Sequence, residues 1–299
     1  MKYTLPTPNT HYSFCDLVFE ASHVLIGGTT GSGKSVFIDE YIYSALGRFT
    51  PEQLNLVLID PKRVSLFKYK NLPHAIAYET ENDRIIAALD NVIKEMEKRY
   101  NYMQSTGAVK YSGAYIVVVI DELADLMVTC KNAIMPRLQR IAQLGRAARI
   151  KLLAATQAPN RKVIPAELAV NFTGRVALRC LSAIESKQII GKAGAENLPQ
   201  HGKAIYLHSN GRYYDADIIK VSDYEIENRI RFWESQKPVV KAAYYPDSNG
   251  AINIDSNTFT DVQPAPRFGF WRNMSRNEKI NYIGFAFALL VFVYLLVNV

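Results

Sequence analysis

The chain has 299 residues, of which 48% are hydrophobic and 21% charged, so it can bury a large core, and wholesale intrinsic disorder is excluded. A formal net charge of +7 favours an anionic partner such as nucleic acid or an acidic membrane surface, although a solvated basic surface explains it equally well. The three cysteines (Cys15, Cys130 and Cys180) are too few and too far apart for a disulfide framework or a zinc knuckle.

Hydrophobic runs set the predicted fold. Residues 1–22 carry two prolines and no clear period, and we interpret them as a lead-in. Nearly continuous apolar runs then alternate with helical stretches, as in strands buried on both faces of a parallel sheet. These runs are HVLIGG (23–28), LNLVLID (54–60), YIVVVIDE (115–122), IKLLAATQ (150–157), GRVALRC (174–180) and KAIYL (203–207). One apolar stripe predicts a helix over 81–103, with Thr80 as its N-cap. The predicted fold is α/β, with a mostly parallel sheet flanked by helices.

The first strand leads into a phosphate-binding loop. Residues 28–35 read GTTGSGKS and fit the pattern G-x-x-x-x-G-K-[ST] between a predicted strand and a predicted helix. In this motif, backbone N–H groups and a helix N-terminus surround the phosphates of ATP. Lys34 would reach the β- and γ-phosphates, and the Ser35 hydroxyl would bind Mg²⁺. The predicted nucleotide-binding residues are Gly28, Thr29, Thr30, Gly31, Ser32, Gly33, Lys34 and Ser35, together with Asp121 of a later strand.

Two later strand ends supply the catalytic candidates. Asp121 ends a buried strand and would hold Mg²⁺ through its water shell, and Glu122 beside it could polarise the attacking water. Two adjacent carboxylates could alternatively form a solvated turn. Gln157 ends a third strand, where it could sense the γ-phosphate and orient the water.

The last 63 residues predict a membrane anchor. Residues 237–279 show turn residues and no period, which is typical of a linker, and their end is basic. Residues 280–299 hold no charge and would span about 30 Å as a helix, the thickness of the hydrocarbon core of a bilayer. Positive charge before the span predicts a single-pass membrane protein whose main body is in the cytoplasm. A buried core helix is the alternative.

The order of these motifs resembles the FtsK/SpoIIIE DNA translocases, which are ring-forming motors that pump double-stranded DNA. The resemblance runs from about residue 23 to 236 and rests on the following segments: HVLIGGTTGSGKSV, LVLIDPKRV, LPHAIAYETEN, EMEKRYNYM, YIVVVIDELADLM, IAQLGRAARIKLLAATQAPN, ESKQIIGKAGAENL and VSDYEIENRIRFWESQ. It implies a RecA-like P-loop motor domain over 23–236 that forms a homohexamer around DNA, with ATP sites between subunits. It also implies that Arg146 in GRAARI acts in trans on the neighbour's ATP; a surface arginine at a helix end is the alternative.

The sequence departs from the family where DNA would be gripped. Basic residues of the family align with alanines here, at Ala158, Ala169 and Ala183. Arg161 and Lys162, in the loop APNRKVIP, are therefore our candidate DNA contacts, unless they form a solvated turn. The family's membrane region is N-terminal and its DNA-orienting winged-helix module follows the motor, whereas this sequence shows neither feature.

The leading hypothesis is an ATP-driven translocase of double-stranded DNA, anchored to the cell membrane. A pore or a DNA-transfer apparatus would be a further partner, and small motors of this kind suggest a mobile element, plasmid or phage context. Two other classes remain open. A filamentous-phage-type assembly ATPase usually has a domain beyond its membrane span, and a protein-secretion motor usually carries several ATPase domains in tandem.

Overall fold

The structure is a computed structural model, and it describes residues 14–236. The predicted linker (237–279) and membrane helix (280–299) lie outside the described residues, as do residues 1–13 of the lead-in. Within 14–236, no helix has both the length and the apolarity needed to cross a membrane.

The described residues form one sheet with helices on both faces. Its strands are β1 Val24–Gly27, β2 Leu54–Ile59, β3 Ala75–Glu79, β4 Tyr115–Ile120, β5 Ile150–Thr156, β6 Gly174–Ala177, β7 Lys203–Leu207 and β8 Tyr213–Asp217. The strands lie in the order β3-β2-β4-β5-β1-β6-β7-β8. Neighbours from β3 to β6 are parallel, and the β6–β7 and β7–β8 pairs are antiparallel. The predicted α/β fold with a mostly parallel sheet is therefore confirmed.

The α-helices of the described part are α1 Phe14–Glu20, α2 Lys34–Arg48, α3 Asn82–Thr106, α4 Leu123–Thr129, α5 Lys131–Leu144, α6 Ala166–Ala169, α7 Ala183–Ile190 and α8 Asp223–Glu234. Side chains alternate along each central strand, so that Val118 packs on one face of the sheet and Val117 and Val119 on the other. Helices α3, α4 and α5 cover the first face, and α1, α2 and α8 cover the second. The central strands are therefore packed between two buried cores, one on each face of the sheet.

Three features differ from the sequence-based expectation or add to it. Residues 14–20 of the predicted lead-in form α1, whose Phe14 ring contacts Phe37 of α2, with 5.6 Å between the ring centroids. Strands β3 and β8, at the two edges of the sheet, were not predicted. YYDAD mixes polar with apolar residues, and AIAYE holds a single branched aliphatic residue, so neither resembles the continuous Val/Ile/Leu runs of the central strands. The N-cap of α3 is Glu81, so the choice of Thr80 was wrong by one position.

Candidate nucleotide-binding site

The predicted site residues follow neighbouring parallel strands, so they meet at one edge of the sheet. The phosphate-binding loop follows β1, Gln157 follows β5, and Asp121 and Glu122 follow β4. Since β1, β5, β4 and β2 are adjacent in that order, the loop that begins at Asp60 after β2 extends the same row. Ligands of open α/β sheets bind at this edge, beyond the carboxyl ends of the strands.

The loop between β1 and α2 is built from the predicted residues Gly28, Thr29, Thr30, Gly31, Ser32 and Gly33. Gly33 is the N-cap of α2 and has a φ of 100°, a conformation that side-chain-bearing residues rarely adopt. A Cβ added to Gly28 would lie 2.8 Å from Leu178 Cβ, so only glycine fits there without a shift. The Ser32 hydroxyl is buried and has no hydrogen-bond partner within 14–236, so it can donate to a ligand.

The Lys34 ammonium is held inside this loop. Its Nζ donates to the backbone carbonyls of Gly28 at 2.6 Å and Thr29 at 2.7 Å. Burial lowers the pKa of Lys34 to about 8, although the nearby carboxylates of Glu122 and Asp121 oppose the shift. The cation is therefore only partly compensated, and a phosphate group beside it would provide the missing negative charge.

The oxygen donors that could bind a metal ion lie next to one another at this edge of the sheet. Burial raises the pKa of Asp121 to about 6; Asp60 and Glu122 add to the shift, and a hydrogen bond with Ser65 opposes it. The Ser35 and Ser65 hydroxyl oxygens are 3.5 Å apart. In the described ranges no three His, Cys, Asp or Glu side chains could together hold a metal. One carboxylate and hydroxyls fit Mg²⁺ that is bound mainly through nucleotide phosphates.

Glu122 is buried between the ends of β4 and β5. It is the N-cap of α4 and accepts a hydrogen bond from the N–H of Ala124 at 3.2 Å. The N–H of Gln157 lies 3.1 and 3.2 Å from the two carboxylate oxygens of Glu122, and Lys62 Nζ is 3.7 Å from Oε2 of Glu122. The carboxylate thus has a fixed orientation, and both of its oxygens have partners in this structure.

Gln157 connects the strand end to the phosphate-binding loop. Its side-chain carbonyl accepts a hydrogen bond from the Thr30 hydroxyl at 2.7 Å. Its backbone N–H is the donor to Glu122, so one residue contacts both the loop and the candidate base. The structure therefore brings together Thr30, Lys34, Ser35, Asp121, Glu122 and Gln157.

Arg146 is not part of this cluster. It is exposed in the turn between α5 and β5, at the amino end of β5, and within 14–236 its guanidinium forms no ion pair. The seven residues of β5 span about 20 Å, and the phosphate-binding loop lies at the other end of the strand. An arginine side chain cannot bridge this distance, so Arg146 cannot reach the site of its own chain.

The candidate DNA contacts are exposed in the loop between β5 and α6. The Asn160 side chain fixes the turn by accepting hydrogen bonds from the N–H groups of Lys162 at 2.9 Å and Val163 at 3.2 Å. Arg161 also lines a surface cavity of about 260 Å³ together with Ala169, Arg175, Lys187 and others. Basic side chains therefore surround Ala169, one of the positions where we expected a missing cation.

Sequence reasoning missed the contribution of the loop after β2. Lys62 forms an ion pair with Glu122, and Ser65 contacts Ser35 and Asp121. A signal was present, because Asp-Pro-Lys directly follows the apolar run LNLVLI, in the same position relative to its strand as Asp121 and Glu122. Only the strand order, which places β2 next to β4, shows that this loop belongs to the site.

Comparisons with known proteins identify relatives of this chain. A family model described as the FtsK/SpoIIIE family matches residues 7–114 and 102–161. The DNA translocase FtsK of Agrobacterium fabrum is 34% identical over 257 residues, which cover 72% of this chain and 29% of the relative. The DNA translocase FtsK of Rickettsia prowazekii is 30% identical over 315 residues, covering 87% of this chain and 41% of the relative. The chain thus spans less than half the length of these relatives.

Solved structures support the fold. The pCW3 conjugation coupling protein TcpA, a monomer with ATPγS, matches with a TM-score of 0.62 and 22% identity, covering 71% of this chain and 64% of that one. The cytoplasmic domain of the type VII secretion ATPase EccC of Thermomonospora curvata matches with a TM-score of 0.64 and 22% identity, covering 73% of this chain and 28% of that one. At these identities the two likenesses establish the fold alone.

Proposed function

The chain belongs to the FtsK/SpoIIIE family, and on that premise we propose that it is an ATP-driven translocase of double-stranded DNA. The observation that carries this proposal is the cluster of Lys34, Asp121, Glu122 and Gln157 at one edge of the sheet, since these residue types perform ATP hydrolysis in P-loop motors.

Each residue of the cluster has a part in the proposed hydrolysis. Lys34 binds the β- and γ-phosphates, and Ser35 and Asp121 would hold Mg²⁺, which neutralises phosphate charge when bound. Glu122 accepts a proton from water as the water oxygen bonds to the γ-phosphorus. The bond from that phosphorus to the bridging oxygen breaks, and its electron pair leaves with ADP. Gln157 orients the water through its position beside Thr30 and Glu122.

The position of Arg146 supports a site completed by a second subunit. Arg146 lies about 20 Å from the phosphate-binding loop of its own chain, so the ATP site that it can serve is that of a neighbouring subunit. We propose a homohexamer in which Arg146 stabilises the charge that develops on the neighbour's γ-phosphate.

Gln157 is the proposed connection between hydrolysis and movement. It contacts the phosphate-binding loop through Thr30, and its chain continues directly into the loop that carries Arg161 and Lys162. Displacement of Gln157 on loss of the γ-phosphate would shift these two cations. Contacts of this kind with DNA phosphates carry no base information, so we propose binding without sequence specificity.

The place of action that we propose is the cytoplasmic face of the cell membrane, with residues 280–299 as a single-pass anchor. A membrane pore or transfer apparatus would then receive the DNA, in a mobile-element or phage setting. A filamentous-phage-type assembly ATPase and a protein-secretion motor are the alternatives that the experiment below separates from a DNA motor.

The test measures ATP hydrolysis by the full chain in detergent, with duplex DNA, single-stranded DNA or neither. We expect duplex DNA to stimulate hydrolysis and to bind with a logarithmic salt slope of about −0.9 per phosphate neutralised. Arg161→Ala/Lys162→Ala should flatten the slope and abolish the stimulation while leaving basal hydrolysis intact.

The matched control is Lys203→Ala/Arg231→Ala, which removes two cations that pair with Asp217 and Glu227 elsewhere on the surface. An equal loss of DNA stimulation in this control would assign the effect to net charge and overturn the proposal that Arg161 and Lys162 bind DNA. A wild-type chain that hydrolyses ATP but ignores duplex DNA would overturn the DNA cargo and favour protein export.

A further inference from the structure

The loop after β2 (residues 60–66) has an unusual and fixed conformation. The buried Asp60 carboxylate accepts a hydrogen bond from the N–H of Leu66 at 2.9 Å, which ties the two ends of the loop together. Arg63 within it has a φ of 60°, in the left-handed region that residues other than glycine rarely adopt. Strained backbone of this kind persists where the surroundings hold it, and it is concentrated at functional sites.

Two side chains of this loop contact residues of the nucleotide site. Ser65 lies beside Ser35 of the phosphate-binding loop, with 3.5 Å between their hydroxyl oxygens. Lys62 Nζ lies between two carboxylates, 3.7 Å from Glu122 Oε2 and 3.6 Å from Asp125 Oδ2. The loop therefore places a cation and a hydroxyl along the gap that the terminal phosphates would occupy.

The contacts of Lys62 are well suited to exchange. Both N···O distances exceed those of ordinary hydrogen bonds, so neither carboxylate holds the ammonium tightly. The Lys62 side chain is 42% exposed, whereas the side chain of its partner Glu122 is only 2% exposed. The lysine can therefore move, while the glutamate is fixed by the N–H groups of Ala124 and Gln157.

The exchange would also change what Glu122 can do. A general base needs an oxygen that is available to the proton it accepts. Here Oε1 accepts from both Ala124 and Gln157, whereas Oε2 shares only the bifurcated Gln157 N–H, at 3.2 Å, and is the oxygen nearest to the ammonium of Lys62. A γ-phosphate carries more negative charge than a carboxylate and would compete for the ammonium.

We propose that Lys62 is a further phosphate-contacting residue, whose ammonium moves from Glu122 and Asp125 to the γ-phosphate of bound ATP. This movement removes the cation from Oε2 of Glu122, so that this oxygen can receive the proton of the attacking water. The inference rests on the proposed ATPase function of this site. Lys62 then distinguishes ATP from ADP, because the γ-phosphate is the group that draws it away. Hydrolysis returns the cation to Glu122 and ends the cycle.

The experiment compares Lys62→Met with wild type in the full chain, by titration with ATPγS and with ADP. A lost charge-assisted contact should weaken ATPγS binding by roughly 10- to 100-fold and leave ADP binding unchanged. The turnover of ATP should fall, and Lys62→Arg should restore part of the preference for the triphosphate. Lys62→Gln repeats the measurement should Lys62→Met unfold.

Arg63→Met is the matched control, because it removes the adjacent cation of the same loop, whose partner is Glu81. We expect it to bind both nucleotides as wild type does. An unchanged ATPγS-to-ADP preference in Lys62→Met, or an equal loss of both nucleotides, would overturn the inference and leave the ATPase function in place. A wild-type chain that binds neither nucleotide would overturn the proposed function and this inference together.

Discussion

Arg146 offers the sharpest test of a site shared between subunits. Arg146→Ala should lower ATP turnover by about 10³- to 10⁵-fold, the range measured for arginine fingers in other phosphoryl-transfer enzymes. Nucleotide binding should persist, because Lys34 and the phosphate-binding loop lie about 20 Å away at the other end of β5. Arg140→Ala is the control, since Arg140 is another exposed arginine of the same region and pairs with Glu97.

The shared site also predicts the result of mixing two inactive variants. Arg146→Ala subunits keep their phosphate-binding loop, and Lys34→Ala subunits keep their arginine. In rings assembled at random from equal amounts, about one interface in four has both intact parts in the required order, because a head-to-tail interface takes one part from each subunit. We therefore expect hydrolysis of about a quarter of the wild-type rate when the sites work independently, and a lower rate when they are coupled.

The assay is steady-state phosphate release after the two proteins are mixed, with mixed assembly verified by differently tagged subunits. Activity should be highest near equal amounts of the two variants and should vanish towards either pure protein. Verified mixed rings without any recovery would refute the action of Arg146 across a subunit boundary and would leave it as a surface arginine.

Three further outcomes follow from the site and its surroundings. Lys34→Ala should abolish nucleotide binding, whereas Glu122→Gln should bind ATP but not turn it over; unchanged hydrolysis in Glu122→Gln would remove it as the base. Removal of residues 270–299 should give a detergent-independent protein that still hydrolyses ATP, and a chain that then fails to fold would place that segment in the core. Burial raises the pKa of Glu40 in α2 from 4.5 to about 7, so folding takes up a proton at this group between these pH values, and the contribution of Glu40 to the free energy of unfolding should fall by up to about 3 kcal/mol as pH rises through them. Urea titrations at pH 5 and pH 8 should therefore show a more negative change in unfolding free energy for wild type than for Glu40→Gln; an equal change in both proteins would assign it to other groups.

The parts of the fold that sequence could predict are those in which one physical signal dominates. Continuous apolar runs identified the central strands, because these are buried on both faces. The glycine–lysine pattern located the phosphate-binding loop, because few other residues tolerate its backbone geometry and contacts. Edge strands such as β8 are partly exposed to solvent and therefore contain polar as well as apolar residues. Their composition cannot be distinguished from that of a loop.

The unpredicted part of the site depends on strand order. The sequence places Lys62 60 positions before Glu122, and no local pattern indicates that they meet. They meet because β2 pairs with β4 in the register Ile59↔Ile120, which brings the two following loops side by side. Arg146 shows the opposite case, since it is close to Gln157 in sequence but separated from it by the full length of β5.

The central position of β1 has a consequence for how this chain folds. Val24 pairs with Leu153 on one side and Gly174 on the other, so the strand that leads into the phosphate-binding loop finds its neighbours about 130 to 150 residues later. Contacts this distant in sequence slow folding. At a synthesis rate of about 5–20 residues per second, β1 would wait roughly 6 to 30 seconds for β5 and β6 to emerge from the ribosome. We therefore expect the nucleotide site to be among the last parts to form, and β1 to need protection from premature association during that delay.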